Sequence, residues 1–462
     1  MLKRTRSFLV LVMLLMTVTM SAQVTTVTMS GKVTAQDEPI IGATIVAIHE
    51  PSGTRYGTVT NVSGQFNLQG MRTGGPYKVE ISYVGYQTAI YKGINLLLGE
   101  NYVLNVSLKE SSELLDEVVV TASKESNMKS DRAGAIMNAN RDMISNTPTI
   151  SRSISDIMRL SPQGADVGNG FAVGGGNYRQ SFVTVDGAAF NNTFGLGGNL
   201  PANGSPISLD ALEQVTVAVT PFDVRQSGFT GGAINAVTRS GDNQFRGTAY
   251  MYFNNENLKG SKVDDYELLR SKAQYYTYGA SFGGPIIKDK LFFFVNGEYE
   301  DNVTAGSNYR PRTALGESYS GGNIHRPLQS DMDDMRGFLL NKYNFDPGKY
   351  NDYSTDTPAY RVMARVDWNA NQNNKVSFRF TKTHTKDSNF PTSSVSPLST
   401  SALYPGGTST EVIDGKPVGT IAPGQGRTSK YALSFSNSNY YQVRDFTSVA
   451  GEWNSRIWLK EQ

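Results

Sequence analysis

Over residues 359–368 every second side chain is apolar. Val362, Ala364, Val366 and Trp368 fall on one face of an extended chain, and Arg361, Arg365 and Asp367 on the other. A polar turn at 371–374 follows. Residues 375–380 then repeat the pattern, with Val376, Phe378 and Phe380 opposed by Lys375, Ser377 and Arg379. A period of two means a strand with different surroundings on its two faces. A soluble sandwich can alternate in this way too. Arginines, an aspartate and a lysine against bulky apolar groups better suit a strand between a polar lumen and lipid. Trp368, at the strand end, fits an interfacial aromatic girdle.

The pattern continues in both directions. A hairpin is expected at 275–282 and 291–299, joined by the turn 283–290. Short turns alternate with long polar loops at 301–357 and 381–430, which is how transmembrane barrels distribute turns and loops. Strands are expected near 246–254, 274–283, 290–300, 359–368, 375–383, 430–438 and 446–456.

Composition removes most other functions. The chain has 462 residues, no cysteine, three histidines and a net charge of +2. Disulfides, thiol catalysis, cysteine-ligated metal and lipidation through cysteine are excluded. His49, His325 and His384 are far apart in sequence. No nucleophile elbow or phosphate loop is present. Near-neutral charge gives no footprint for nucleic acid. No catalytic residue, metal or cofactor is expected.

The chain opens with Lys3, Arg4 and Arg6, an apolar run over 8–20, and the small residues Ser21 and Ala22. This is the layout of a secretory signal, so 1–22 is set aside as a leader cleaved near Ala22 or Gln23. Across 23–110, turn residues recur every eight to twelve positions between short β-rich runs, at 28–33, 43–48, 57–60, 65–68, 77–83, 86–91 and 102–108. That spacing predicts a β-sandwich. Ser63-Gly64 is read as a tight turn with Gly64 at positive φ and Phe66 returning to the core.

Residues 111–129 form a polar linker around Asp116, Glu117, Val118, Val119, Val120 and Thr121. Three valines favour an extended strand. Between hydrophilic flanks it has no evident sheet of its own, so it suits pairing with the edge of another protein's sheet. The alternative is one more strand of the preceding sandwich. Residues 130–240 read as a mixed α/β unit. Ile154, Ile157 and Met158 are spaced for a short amphipathic helix over 151–160. Strands are expected at 181–187 and 215–219, with a turn over 208–214 between them. The Gly-rich stretches near 174–176 and 191–203 are either apices that meet a substrate or simple turns.

The run Gly31-Lys32-Val33 … Pro39-Ile40-Ile41-Gly42-Ala43-Thr44 … Ser63-Gly64-Gln65-Phe66 resembles the carboxypeptidase-regulatory-like domain. Such a domain carries no catalytic residues, and a partner-binding and a spacer role are both open for it. Asp116–Thr121 looks like the TonB box of outer-membrane receptors. The 130–240 unit resembles their plug, including the closing pattern Gly231-Gly232-Ala233-Ile234-Asn235-Ala236-Val237-Thr238-Arg239-Ser240-Gly241. The turn at 283–290 and Leu291-Phe292-Phe293-Phe294 look like the Oar-like branch. The SusC-like plug wording is only partly matched by Val183-Thr184-Val185-Asp186-Gly187.

The resemblance implies a mainly β chain: an N-terminal β-sandwich, a mixed α/β plug, and over 241–462 the first strands of an incomplete transmembrane β-barrel. It implies an outer-membrane location with plug and sandwich toward the periplasm. The expected partners are TonB, energised by the inner-membrane ExbB–ExbD complex, outer-membrane lipid and an unknown imported substrate. TonB would engage Asp116 to Thr121, and no bond in the substrate would be broken. The family's barrel has more strands than 241–462 can supply, so the sequence is expected to be an N-terminal portion. The rivals are a non-transporting surface or periplasmic binding protein and a non-functional fragment.

Overall fold

A computed structural model describes residues 25–110, 118–121, 136–149, 152–167, 170–192, 200, 205–219, 231–258, 260, 262–263, 266–267, 272–306, 309–319, 323–389, 412–413, 416–417 and 433–455. The leader, Asp116 and Glu117 lie outside these residues, as do most of the Gly-rich stretch before Ser205 and most of the loop after Asn389.

The N-terminal unit contains β1 (Val27–Ala35), β2 (Thr44–His49), β3 (Thr54–Val59), β4 (Gln65–Met71), β5 (Gly74–Ser82), β6 (Ala89–Leu96), β7 (Asn101–Val103) and β8 (Val106–Ser107). One sheet centres on β1, antiparallel to β4 and parallel to β7 and β8. The other runs β9-β6-β5-β2-β3, where β9 is Val118–Thr121. Alternate residues point between the sheets. Met29, Val33, Ile45, Phe66, Leu68, Tyr77, Val79, Ile81, Ile94 and Leu96 form one buried cluster. Gly64 sits at φ +71, and a Cβ there would lie 2.6 Å from the Val33 carbonyl oxygen, so the turn requires glycine.

Two sandwich strands differ from the expectation. The run at 86–91 begins instead at Ala89, because Tyr86 is used in an isolated bridge to Glu110. The run at 102–108 breaks into β7 and β8 around Leu104. Its carbonyl oxygen presses on Gly31, 1.8 Å from where a Cβ would stand, and its N–H donates to Ser30.

The second unit contains β10 (Ile136–Asn140), α1 (Arg141–Asn146), α2 (Ile154–Met158), β11 (Phe182–Val185), β12 (Leu212–Ala218) and β13 (Ala233–Thr238). Its sheet runs β10-β12-β13-β11 and is extended by Ala188–Ala189. Helix α2 is shorter than 151–160 but buries the expected Ile154, Ile157 and Met158, and Ser153 with Asp156 forms its capping box.

The third unit is an antiparallel sheet, β14 (Arg246–Asn255), β15 (Ala273–Ile287), β16 (Leu291–Ala305), β17 (Ala359–Asn369), β18 (Asn374–Asn389) and β19 (Tyr440–Ser455), in chain order. It does not close: β14 and β19 are its edges among the described residues. Outward-facing Tyr278, Tyr299 and Tyr360 are in register across three strands. A second outward row pairs Leu291 with Trp368, Trp368 with Val376, and Val376 with Trp453. Eight residues separate Tyr360 from Trp368, about 26 Å of strand, close to the apolar band of an outer-membrane barrel. Val362 and Val366 occupy the exposed face between them.

No strand occupies 433–438. A 3-10 turn at Ser436–Ser438 ties Ser436 and Asn437 to the backbone of Lys349 and Pro347, and the last strand starts at Tyr440. Ser and Asn here bond to a neighbouring loop in place of a ladder. The loop at 301–357 is not structureless either, for it carries α3 (Gln329–Tyr343).

Candidate functional site

The inward faces of β14 to β19 meet the second unit, and the contact is mostly charged. The expectation that Arg361, Arg365 and Asp367 share the lumenal face is met, and all three are buried. Arg361 pairs with Glu298 at 3.0 Å and Glu300 at 2.9 Å, and donates to the Ser205 carbonyl. Glu298 also accepts from Ser208 at 2.9 Å and from Tyr250 at 2.5 Å. Thr383 donates to the Pro206 carbonyl at 2.6 Å. Ser208 also bonds the Tyr250 hydroxyl at 2.9 Å, so the segment 205–208 is held from four strands at once.

A second knot centres on Asp186, at the turn after β11. It accepts from the Thr238 N–H at 2.9 Å and the Thr238 hydroxyl at 2.5 Å. Two barrel arginines face it, Arg365 and Arg379, each at 3.8 Å. Arg365 is forked onto Asp367 at 2.8 and 3.0 Å and donates to the Thr238 carbonyl at 2.7 Å. Arg379 pairs with Glu452 at 2.7 Å. Buried ion pairs gain little net stability over apolar packing, but losing one partner is costly. Such a contact fixes position chiefly through directional polar bonds. Some apolar packing also crosses it, with Phe294 and Met363 of the barrel in the second unit's cluster.

The sandwich lies across one end of this assembly. Arg72, just past β4, reaches Asp367 at 3.3 Å, and Lys375 stands 3.0 Å from the centre of the Tyr56 ring. Asn369 donates to Thr54 at 2.9 Å, and the Asn243 N–H donates to the Pro51 carbonyl at 3.0 Å. On the second unit, Asn138 donates to Glu100 at 2.6 Å, and Leu98 packs on Val237. One ionic chain therefore runs from Arg72 through Asp367 and Arg365 to Asp186, touching all three units. Between them is a cavity of about 220 Å³, lined in part by Arg72, Arg141, Glu213, Arg239, Arg379 and Asn454. Burial raises the Glu213 carboxyl above its ordinary range, against the opposing pull of Arg141 and Arg239. On the sandwich side, burial and the charges of Arg72 and Lys375 lower His49 to about 3. Among the described residues no group of three or more His, Asp or Glu could hold a metal ion.

The expected TonB-contacting residues are brought together only in part. Val118, Val119, Val120 and Thr121 form β9, whose backbone pairs in parallel with Ala89, Ile90, Tyr91 and Lys92 of β6. The expectation of a strand attached to neither neighbour is corrected here. The edge of β6 was open and in reach, and a valine run satisfies it. Sequence reasoning also missed Asp186 as an electrostatic hub and Arg72 as a seat. The signal for the first was the pair of inward arginines, which required a buried acid nearby. For Arg72 no local pattern distinguishes it from a solvated surface cation.

Two family models match the chain: the carboxypeptidase regulatory-like domain over residues 28–109, and an outer membrane beta barrel domain over 237–416. Among curated proteins, the TonB-dependent transporter Oar of Myxococcus xanthus is 27% identical over 256 residues, 54% of this chain and 22% of Oar. The TonB-dependent receptor SusC of Bacteroides thetaiotaomicron is 29% identical over 269 residues, 55% of this chain and 24% of SusC. The chain thus spans under a quarter of the length of either relative. Solved structures that align with it include the siderophore receptor PirA of Acinetobacter baumannii, at 17% identity, 54% of this chain, 31% of that one and a TM-score of 0.36. The outer membrane transporter YddB of Escherichia coli aligns at 12% identity, over 55% of this chain and 33% of its own, with a TM-score of 0.39. By its two matched domains and its curated relatives, the chain is an outer-membrane β-barrel protein related to the TonB-dependent receptors, with a carboxypeptidase regulatory-like domain in front.

Proposed function

We propose that this chain is the N-terminal portion of a TonB-dependent importer that moves a substrate across the outer membrane without chemical change. Residues 130–240 act as its plug, and 241–462 contribute part of its barrel. TonB, energised by ExbB–ExbD in the inner membrane, engages Asp116 to Thr121 from the periplasm, and force on this segment frees the lumen. The observation that carries the reading is the contact inside the barrel: Asp186, Ser205 and Ser208 are held by buried polar bonds to barrel strands, and the apolar packing across the contact is confined to a few side chains such as Phe294, Met363 and Phe446. Such bonds can be exchanged for water when the plug moves, so most of the contact can open without apolar surface being exposed. The Oar-like branch is favoured within the family, because Val219-Thr220-Pro221-Phe222-Asp223 stands where SusC-like plugs carry a Lys-Asp-Ala segment.

The test needs no known substrate. Single cysteines placed at 116 to 121 in the full receptor, in cells whose TonB carries a cysteine in its periplasmic domain, should form mixed disulfides at several of these positions. The yield should change when the proton gradient is collapsed. A surface binding protein that does not transport would give no cross-link at any position, and that result would overturn the proposal.

A further inference from the structure

The strand β9 has two edges. One is hydrogen-bonded to β6 along its whole length, from Val118 against Ala89 to Thr121 against Lys92. The other pairs with no strand among the described residues, and β9 is terminal in the order β9-β6-β5-β2-β3. An edge of this kind offers backbone donors and acceptors in the geometry an added strand needs. We propose that the coupling protein's strand adds to this outer edge while β9 stays bonded to β6. Partner, β9 and sandwich then form one continuous sheet. This rests on the reading of 116–121 as the TonB-engaging segment, and it differs in what the partner holds. A free coupling strand would transmit pull only along the chain to the plug.

The geometry makes the sandwich the first body to bear the load. β9 is tied sideways to the sandwich by the ladder to β6, and parallel strands pulled along their length resist in shear, with all their bonds loaded together. Toward the plug, residues 122–135 lie between β9 and Ile136. Fourteen residues can span up to about 50 Å when extended. The sandwich meanwhile rests on the barrel end and the plug through Arg72–Asp367, Tyr56–Lys375, Thr54–Asn369 and Glu100–Asn138. Pull on β9 therefore loads the sandwich and its seat directly, through the ladder to β6.

Lys92→Cys with Thr121→Cys in the full receptor tests this. The chain has no other cysteine, and these two positions are opposite each other in the ladder. Paired positions in neighbouring strands fall within disulfide reach. The probe is the purified periplasmic domain of TonB, with binding measured before oxidation, after oxidation and after dithiothreitol. The expected result is a disulfide in high yield and a Kd that changes less than about threefold on locking. A loss of tenfold or more on oxidation, reversed by reductant, would mean the strand must leave the sandwich, and overturns the proposal. Failure of the disulfide to form overturns it as well, because β9 would then not lie on β6. If neither the reduced variant nor the unaltered receptor binds the TonB domain, the coupling reading falls and this proposal falls with it. A disulfide that still forms in that case places the error in the partner and not in the strand.

Discussion

Asp186 shows how much one side chain can decide. Its carboxylate takes two bonds from Thr238 and faces the guanidinium groups of Arg365 and Arg379. Asp186→Asn keeps one acceptor but removes the charge between two buried cations. The expected cost is about 2–4 kcal/mol in the seating of the second unit on the barrel strands. It should appear as proteolysis of 136–240 at lower urea than in the unaltered receptor, with the outer-membrane level unchanged. His49 is the second residue of this kind. Its ring is buried against Tyr77, with centroids 5.0 Å apart, and Nδ1 lies 2.7 Å from the Ser52 hydroxyl. Folding lowers its pKa from 6.5 to about 3. The unfolded chain therefore binds a proton below pH 6.5 that the folded one refuses. Stability is full above that pH and declines as pH falls toward 3, by up to about 1.4 kcal/mol per pH unit. Thermal melts of the full chain between pH 7 and pH 5 should show this decline, and His49→Gln should flatten it. An equal decline in both proteins would exclude His49 as its source.

At the scale of elements, β9 gives the sharpest contrast. Successive residues of a strand direct their backbone groups to opposite edges, so Val119 and Val120 serve different neighbours. Proline removes a donor and fixes φ. Of Val119→Pro and Val120→Pro, one should weaken TonB binding about tenfold or more and leave the melting of a 24–240 fragment nearly unchanged. The other should detach β9 from β6, measured as faster amide exchange along 89–92. Identical behaviour of the two variants would mean β9 does not have one bonded and one open edge. The turn before β4 makes a simpler claim. Gly64→Ala places a methyl 2.6 Å from the Val33 carbonyl oxygen in a left-handed backbone. It should lower sandwich stability by about 1 kcal/mol or more, read from urea unfolding of the 24–110 fragment.

For the whole molecule the arrangement of three units matters more than any one of them. The second unit is bonded to the inward face of the barrel strands and the sandwich is laid over the same end, joined through Arg72, Asp367, Arg365 and Asp186. Arg72→Glu sets two carboxylates against each other at that seat. The sandwich should then dock less firmly while keeping its own fold, since its core cluster contains only residues from Val27 to Leu108. Cleavage within 111–135 by a soluble protease should rise severalfold, and the melt of the isolated sandwich should not move. Unchanged cleavage would show that the apolar and neutral contacts alone hold the seat.

The sequence by itself determined the faces of the strands. Arg361, Arg365 and Asp367 turn inward and Val362, Val366 and Trp368 turn outward because side chains alternate along an extended backbone, a local property that needs no partner to be known. The sandwich core, the Gly64 turn and the apolar stripe of α2 were legible for the same reason. Only the tertiary structure decided which acid meets which base, and where β9 lies. Glu298, Glu300, Asp367 and Asp186 are all plausible partners for an inward arginine, and sheet register chooses among them. Strand addition depends on backbone groups that every residue carries, so Val118–Thr121 contains no mark telling a strand of the sandwich from a strand kept for a partner. The open edge of β6 settled it, and that edge exists only once 27–108 has folded.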